Sequence, residues 1–262
     1  EGLLPKMAEK VDGRWRMRDA PPALFHFRGA QTLLESDDPQ MAIDVKRDVL
    51  SSYFTKYLAT LSWSHQQLLK RFSFQDTAFK VVGVGSVGTY CHVLLFTDIH
   101  DQPLFLQAKQ AQKSVLAPYV KAGKTAFNHE GQRVVQGQRM LQSASDMFLG
   151  WSTGYAGRNL YIRQLRDMKV SFEIETFSEF LLGRYAWLCF HVLARAHARA
   201  SGMAPQISGY LGKSGQFAEA LAGYARGYTD QVESDFEAFR AACRKGRITA
   251  QSEADFGADL RA

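Results

Sequence analysis

The sequence has no uninterrupted apolar run of the length a bilayer-spanning helix needs, and no charged-then-apolar leader at its start. No membrane partner is expected. Cysteine is scarce: Cys91, Cys189 and Cys243 are odd in number and widely spaced. That excludes a disulfide framework and any zinc-type pair, and it suits reduced thiols in a cytoplasm. His191 and His197 stand six apart on one predicted helix, on different faces, so they do not form a metal-binding pair. Basic residues outnumber acidic ones, 32 to 26, for a formal net charge of +6, yet no block of five or six like charges occurs. Without a basic cluster interleaved with exposed aromatics, a nucleic-acid partner is not expected, whereas a phosphate-bearing ligand suits the balance. Ser86 is not in a nucleophile elbow, which leaves a hydrolase reading without support. Asp230, Glu233 and Asp235 cluster on a predicted helix and read as a solvated face rather than a magnesium site.

What is present is an ordinary globular composition, 46% hydrophobic and 22% charged over 262 residues, enough chain to bury a core in one large domain or two small ones. Residues 1–40 read as an irregular lead-in: a helical end (LLPKMAEK), a turn at Asp12-Gly13 and a break at Pro21-Pro22. Apolar spacing predicts helix over about 41–72, with an interruption at Ser62–Ser64 that gives two helices. Helices are also predicted over 127–145, 175–201 and 215–245, with a loop over 206–214. A hairpin is predicted from 147–151 and 159–165.

The stretch from Ala78 to Gln110 carries the chemistry. It reads as strand, glycine-rich turn, strand, loop, strand, with β-branched and aromatic residues on both sides of the glycines. Gly83, Gly85 and Gly88 fit G-x-G-x-x-G, with Ser86 at the tip. In a dinucleotide-binding fold the third glycine opens a helix; here Thr89–Phe96 reads as strand, so the glycines sit in a hairpin. Two readings stay open. Glycines without Cβ let backbone N–H groups lie close over phosphates, or they simply allow a tight twisted turn. Lys109 ends an otherwise apolar strand, where an ammonium costs desolvation unless it has a partner; it is either a phosphate ligand or an edge lysine with a solvated tip. Glu130, the only acid of the helix over 127–142, is the default carboxylate partner of Lys109. It also suits the plain role of a first-turn acid. Asp167 ends a strand ahead of the long helix, a position that suits a hinge rather than a catalytic loop. Backbone at Gln164 to Arg166, within the strand end from Arg163 to Asp167, is placed to hold the edge of a nucleotide base.

VVGVGSVGTYC, LFLQAK, GQRVVQGQRMLQSASDMFLGW, YIRQLRDMK, LARAHARA and GYLGKS, in that order, resemble the bacterial domain-of-unknown-function family 2252 from about Gly2 to Ile248. The resemblance implies a bacterial cytoplasmic protein with an α+β, protein-kinase-like two-lobed fold: an antiparallel five-stranded sheet with one inserted helix, and a mainly helical lobe. It places a lead-in at 1–75, the sheet part at 76–168 and the helical part at 169–262. It implies ATP and Mg²⁺ as cofactors and a small-molecule acceptor. Members of the family carry upstream blocks of the form Gly-Asp-x-His-x-x-Asn-Phe-Gly and Asn-Asp-Phe-Asp. These are similar to the catalytic loop and metal-binding aspartate of aminoglycoside-kinase-like phosphotransferases, and their order implies circular permutation. This sequence has neither block, so the chain is expected to be a C-terminal part that is inactive alone, with the missing segment as its partner. No catalytic or metal-binding residue is assigned within it. Gln110 and Gln136 stand where relatives often have Glu, which weakens a lysine–glutamate pair. The alternative implied is a pseudokinase-like module that binds nucleotide or metabolite without turnover.

Overall fold

A computed structural model of the chain describes residues 4–20, 23–26, 47–82, 88–120, 127–154, 157–165 and 172–249. It is an α+β protein with two compact units, Glu1–Ala196 and His197–Ala262.

The lead-in is more regular than its sequence suggests. The predicted N-terminal helix is confined to α1 (Leu4–Met7), and the chain then forms a hairpin of β1 (Ala8–Val11) and β2 (Arg14–Met17). Asp12 and Gly13 form its two-residue turn with φ of 49° and 77°, the left-handed pair that matches the twist of a tight hairpin. The two-residue strand β3 (Leu24–Phe25) then joins the edge of the main sheet. That sheet has six strands rather than five.

The helical stretch that follows divides where expected. α2 (Arg47–Leu58) ends before Ser62, whose hydroxyl caps α3 (Trp63–Leu69) by accepting from the His65 N–H. β4 (Ser73–Lys80) starts earlier than the sequence reading of a strand from Phe79. β5 (Cys91–Thr97), β6 (Pro103–Gln110), α4 (Glu130–Leu141), β7 (Gly150–Thr153) and β8 (Asn159–Gln164) complete the unit's central part. The strand order is β3-β4-β5-β6-β8-β7, antiparallel throughout, with α4 inserted in sequence between β6 and β7.

Strand alternation sorts the core onto two faces. Phe96, Leu104, Leu106, Ala108 and Ile162 pack against Tyr57, Leu61 and Leu69 of the α2–α3 segment. Ala78, Val93, Leu95 and Phe105 point the other way and pack with Ala8, Met17 and Leu24. On β7, Ser152 donates to the Tyr53 carbonyl on the α2 side. Trp151 and Thr153 therefore face away from α2 and meet α4: the Arg139 guanidinium lies over the Trp151 ring, and His129 is 3.3 Å from the Thr153 hydroxyl.

The hairpin is tied to the sheet by a histidine held between two carboxylates. His26 Nε2 is 2.9 Å from Asp76 Oδ2 and its Nδ1 is 2.8 Å from Asp19, while Asp76 also accepts the Met17 N–H. The hydrogen bond to Asp76, reinforced by the charges of both aspartates, raises the His26 pKa above its ordinary value of 6.5 despite desolvation. A raised histidine stabilises the fold fully below the unfolded pKa, and that contribution disappears as pH climbs through the folded one. His26→Gln is therefore expected to cost more at pH 5.5 than at pH 9, by about 1 kcal/mol, the scale of a hydrogen bond to a charged partner. Denaturant midpoints of both proteins at the two pH values check it.

Past β8, a 3-10 turn (Ile174–Thr176) leads into α5 (Glu179–Ser201). Phe172, Phe177 and Tyr185 pack ring to ring there, with centroids 5.6 to 6.1 Å apart. The second unit contains α6 (Ala204–Leu211) and α7 (Gln216–Arg244). The sequence reading of a loop over 206–214 is thus corrected. The preceding helix ends at Ser201, followed by Gly202 with a φ of 64°, and Pro205 sits in the first turn of the next, where its missing N–H costs nothing.

Candidate anion site

Lys109 is the second-last residue of β6, paired with Cys91 on β5 and Tyr161 on β8. By alternation its side chain leaves the sheet on the same face as Phe105 and Gln107, opposite to α2 and α3. On that face the β1–β2 hairpin reaches β4 and β5, and α4 reaches β7 and β8. The end of β6 lies between them.

The floor of this region is buried. Cys91 is 1% exposed and Gln107 3%, and the Gln107 amide donates to Cys91 Sγ at 3.3 Å. Burial pushes the Cys91 thiol up from its ordinary value, opposed by the positive charges of Lys109, Lys80 and Arg163. Tyr161 is raised by burial as well, against the pull of Arg163. The Cys91 sulfur therefore feels three cations at once, carried on three strands. Lys80 is the last residue of β4, one past the partner of His92, and so reaches the level of Cys91. Arg163 is the β8 partner of Gln107.

None of the three cations has an acidic partner among the described residues. The ion pairs lie elsewhere, at Lys10–Asp101, Arg18–Glu9, His26 with Asp19 and Asp76, Arg133–Glu130 and Arg240–Glu237. Arg163 goes further: its Nε is buried and makes no hydrogen bond among the described residues. A buried guanidinium N–H without an acceptor costs free energy on the scale of 1 to 3 kcal/mol, roughly, and is rare in native proteins.

The sequence-derived residues fare differently. Lys109 lies in the row of cations. Gly88 lies in the segment that links β4 to β5, three residues ahead of Cys91, with a φ of 77° that favours glycine. Gly83, Gly85, Ser86, Arg166 and Asp167 lie outside the described residues. Glu130 opens α4, where Asn159 Oδ1 accepts its N–H, and its carboxylate is bonded to Arg133 Nε. Arg133 in turn donates to the Gln112 carbonyl just beyond β6. The one acid expected to serve Lys109 is thus engaged one helical turn along. Gln164 is exposed, and its backbone N–H donates to Asp146 at 2.6 Å, while the Leu165 N–H donates to the Phe105 carbonyl at 2.8 Å. Both are committed within the protein. Lys80 and Arg163 are not singled out by the sequence, because their strands, SFQDTAFK and NLYIRQ, carry polar residues among which a cation does not stand out. No group of three or more metal-ligating side chains forms among the described residues.

Fold and site together define an α+β protein whose antiparallel sheet presents a row of cations without acidic partners among the described residues, at the end where a glycine-rich segment links two strands. The chain belongs to a bacterial family described as "Uncharacterized protein conserved in bacteria (DUF2252)", whose model matches residues 1–242. No curated protein and no solved structure matches it.

Proposed function

We propose that this chain is the nucleotide-binding part of an ATP-dependent, kinase-like phosphotransferase acting on a small-molecule acceptor. The observation that carries the reading is Lys109. It stands on the second strand after β4 and the glycine-rich segment, turned to the face between α4 and the hairpin, with no acidic partner among the described residues. Support also comes from the order of elements: strand, glycine-rich link, strand, lysine strand, helix, and two further strands, of which β8 pairs with the lysine strand and β7 with β8. In that role Gly83, Gly85, Ser86 and Gly88 cover the phosphates with backbone N–H groups and Lys109 neutralises them. Catalysis of such a transfer is mainly positioning and charge neutralisation. Mg²⁺, when bound, would add charge neutralisation to that of Lys109. The described residues offer it no ligand set, so no step is assigned through it.

A second reading, a pseudokinase-like module that binds nucleotide without turnover, is favoured by one contact: the Glu130 carboxylate is spent on Arg133 rather than on the lysine.

The test is a thermal-shift titration of the chain with ATP, with and without Mg²⁺, beside Lys109→Met. Ligand at a hundredfold excess over Kd stabilises the native state by about 2.7 kcal/mol. The expected result is a shift in the wild type that the substitution removes. An equal shift in both proteins would move the nucleotide away from Lys109, and no shift in either would sink the nucleotide reading.

A further inference from the structure

We infer that Lys80, Lys109 and Arg163 form a single polyphosphate subsite, and that it selects ligands by their phosphate charge rather than by their base. The inference rests on the nucleotide reading and narrows it: the tail carries recognition, and Arg163 is the specificity-determining residue.

Two independent observations converge. The first is the charge arrangement. Lys80 on β4, Lys109 on β6 and Arg163 on β8 leave the sheet on one face near the buried Cys91, none has an acidic partner among the described residues, and the Arg163 Nε is buried with no acceptor among them. Like charges gathered over an apolar floor repel one another and resist desolvation, so the free protein carries a cost that a multivalent anion relieves. A monophosphate brings too little charge to offset three cations, whereas a diphosphate or triphosphate tail brings enough. Arginine adds geometry to charge, since its planar fork grips two phosphate oxygens while the lysines act as point charges. The second observation concerns the base. The backbone N–H groups of Gln164 and Leu165, at the strand end where a base edge would dock, already donate to Asp146 and to Phe105. A purine and its competitor meet the same spent donors, so neither of these two N–H groups discriminates between them.

The site therefore takes nucleoside triphosphates of any base, and inorganic tripolyphosphate with them. Displacement of a fluorescent ATP analogue from the whole chain, by ATP, GTP, tripolyphosphate, pyrophosphate and phosphate, is the experiment, with Arg163→Met and Lys80→Met beside the wild type. ATP and GTP are expected within about threefold of each other, because the described N–H donors at that edge are already engaged, and phosphate is expected at least a hundredfold weaker, roughly, for want of charge. Arg163→Met should lose about tenfold or more in triphosphate affinity, the worth of a charged hydrogen bond. It should also melt no lower than the wild type without anion, because it removes an unsatisfied buried donor. A structural arginine would behave oppositely, losing stability and leaving anion affinity alone.

The arms separate the two claims. ATP favoured over GTP by more than about tenfold, which needs base-edge hydrogen bonds, would overturn the inference and leave the nucleotide reading standing. So would undiminished triphosphate affinity in Arg163→Met. Displacement by tripolyphosphate of a fluorescent polyphosphate probe, sensitive to Arg163→Met but with no nucleotide competing, would uphold the charge-reading site and sink the nucleotide reading. Binding of none of these ions would overturn both.

Discussion

Gly131→Ala is expected to be the most damaging single-methyl substitution in the sheet-bearing unit. A Cβ at this position would sit 2.2 Å from the Leu160 carbonyl oxygen, 2.8 Å from its carbonyl carbon and 2.8 Å from the His129 ring. Two of those atoms are backbone of β8, an interior strand paired with β6 and β7, and cannot step aside without moving the sheet. The helix would have to lift instead. Lifting it strains the Asn159 contact to the Glu130 N–H and the His129 ring that caps the Gln132 N–H. Overpacking of this kind costs roughly 1 to 3 kcal/mol, and contact with immobile backbone puts this case at the top of that range or beyond. Gly137, on the same helix, has nothing within 4 Å of its would-be Cβ. Gly137→Ala should therefore stabilise by about 0.5 to 1 kcal/mol, the ordinary helical advantage of alanine. Urea unfolding of the two variants, whose chemistry is identical, reads the difference directly. Equal effects would mean that α4 does not lie against Leu160 as described.

The close approach at Gly131 also shows what a sequence conceals. The helix over 130–141, the strands around 91–97 and 103–110, and the division at Ser62 were all legible, because apolar spacing and capping residues are local signals. The β1–β2 hairpin was not: AEKV and RWRM are too charged to read as strands, and only Asp12-Gly13 betrays the turn. β3 is two residues long and follows Pro21-Pro22, so no periodicity exists to find. The helix over 204–211 hides behind Pro205, which reads as a breaker yet is equally at home in a helix's first turn. For the candidate site, Lys109 stood out as a cation in an apolar strand. The company of Lys80 and Arg163 depends on register, which pairs residues far apart in sequence and which no local pattern encodes. The commitment of Glu130 to Arg133 rather than Lys109 was a choice between neighbours three residues and twenty-one residues away, and on a helix the i, i+3 partner is always at hand.

Register also places His92 beside a strand partner that sets its titration. His92 pairs with Phe79 across β4 and β5, and their rings meet edge to face at 5.7 Å. The Arg158 guanidinium, itself stacked 3.7 Å over the Tyr90 ring, adds a positive charge nearby. Desolvation first and the Arg158 charge second lower the His92 pKa from 6.5 to about 4. The consequence runs opposite to that of His26. A depressed histidine is neutral in the fold and takes up a proton more readily when unfolded, so its contribution is complete above pH 6.5 and is lost as pH falls toward 4. Each pKa unit is worth ~1.4 kcal/mol, which bounds the loss near 3; the ring keeps some contact with solvent, so about 2 kcal/mol is the expected figure. His92→Phe retains an aromatic ring against Phe79 and cannot titrate. Its stability relative to the wild type should improve by that amount between pH 7 and pH 4, after the acid sensitivity common to both proteins cancels. Because His26 acts above its ordinary pKa and His92 below it, the two histidines narrow the stability optimum from opposite sides. A stability difference between His92→Phe and wild type that stays flat across this range would place the His92 ring in water rather than against Phe79 and Arg158.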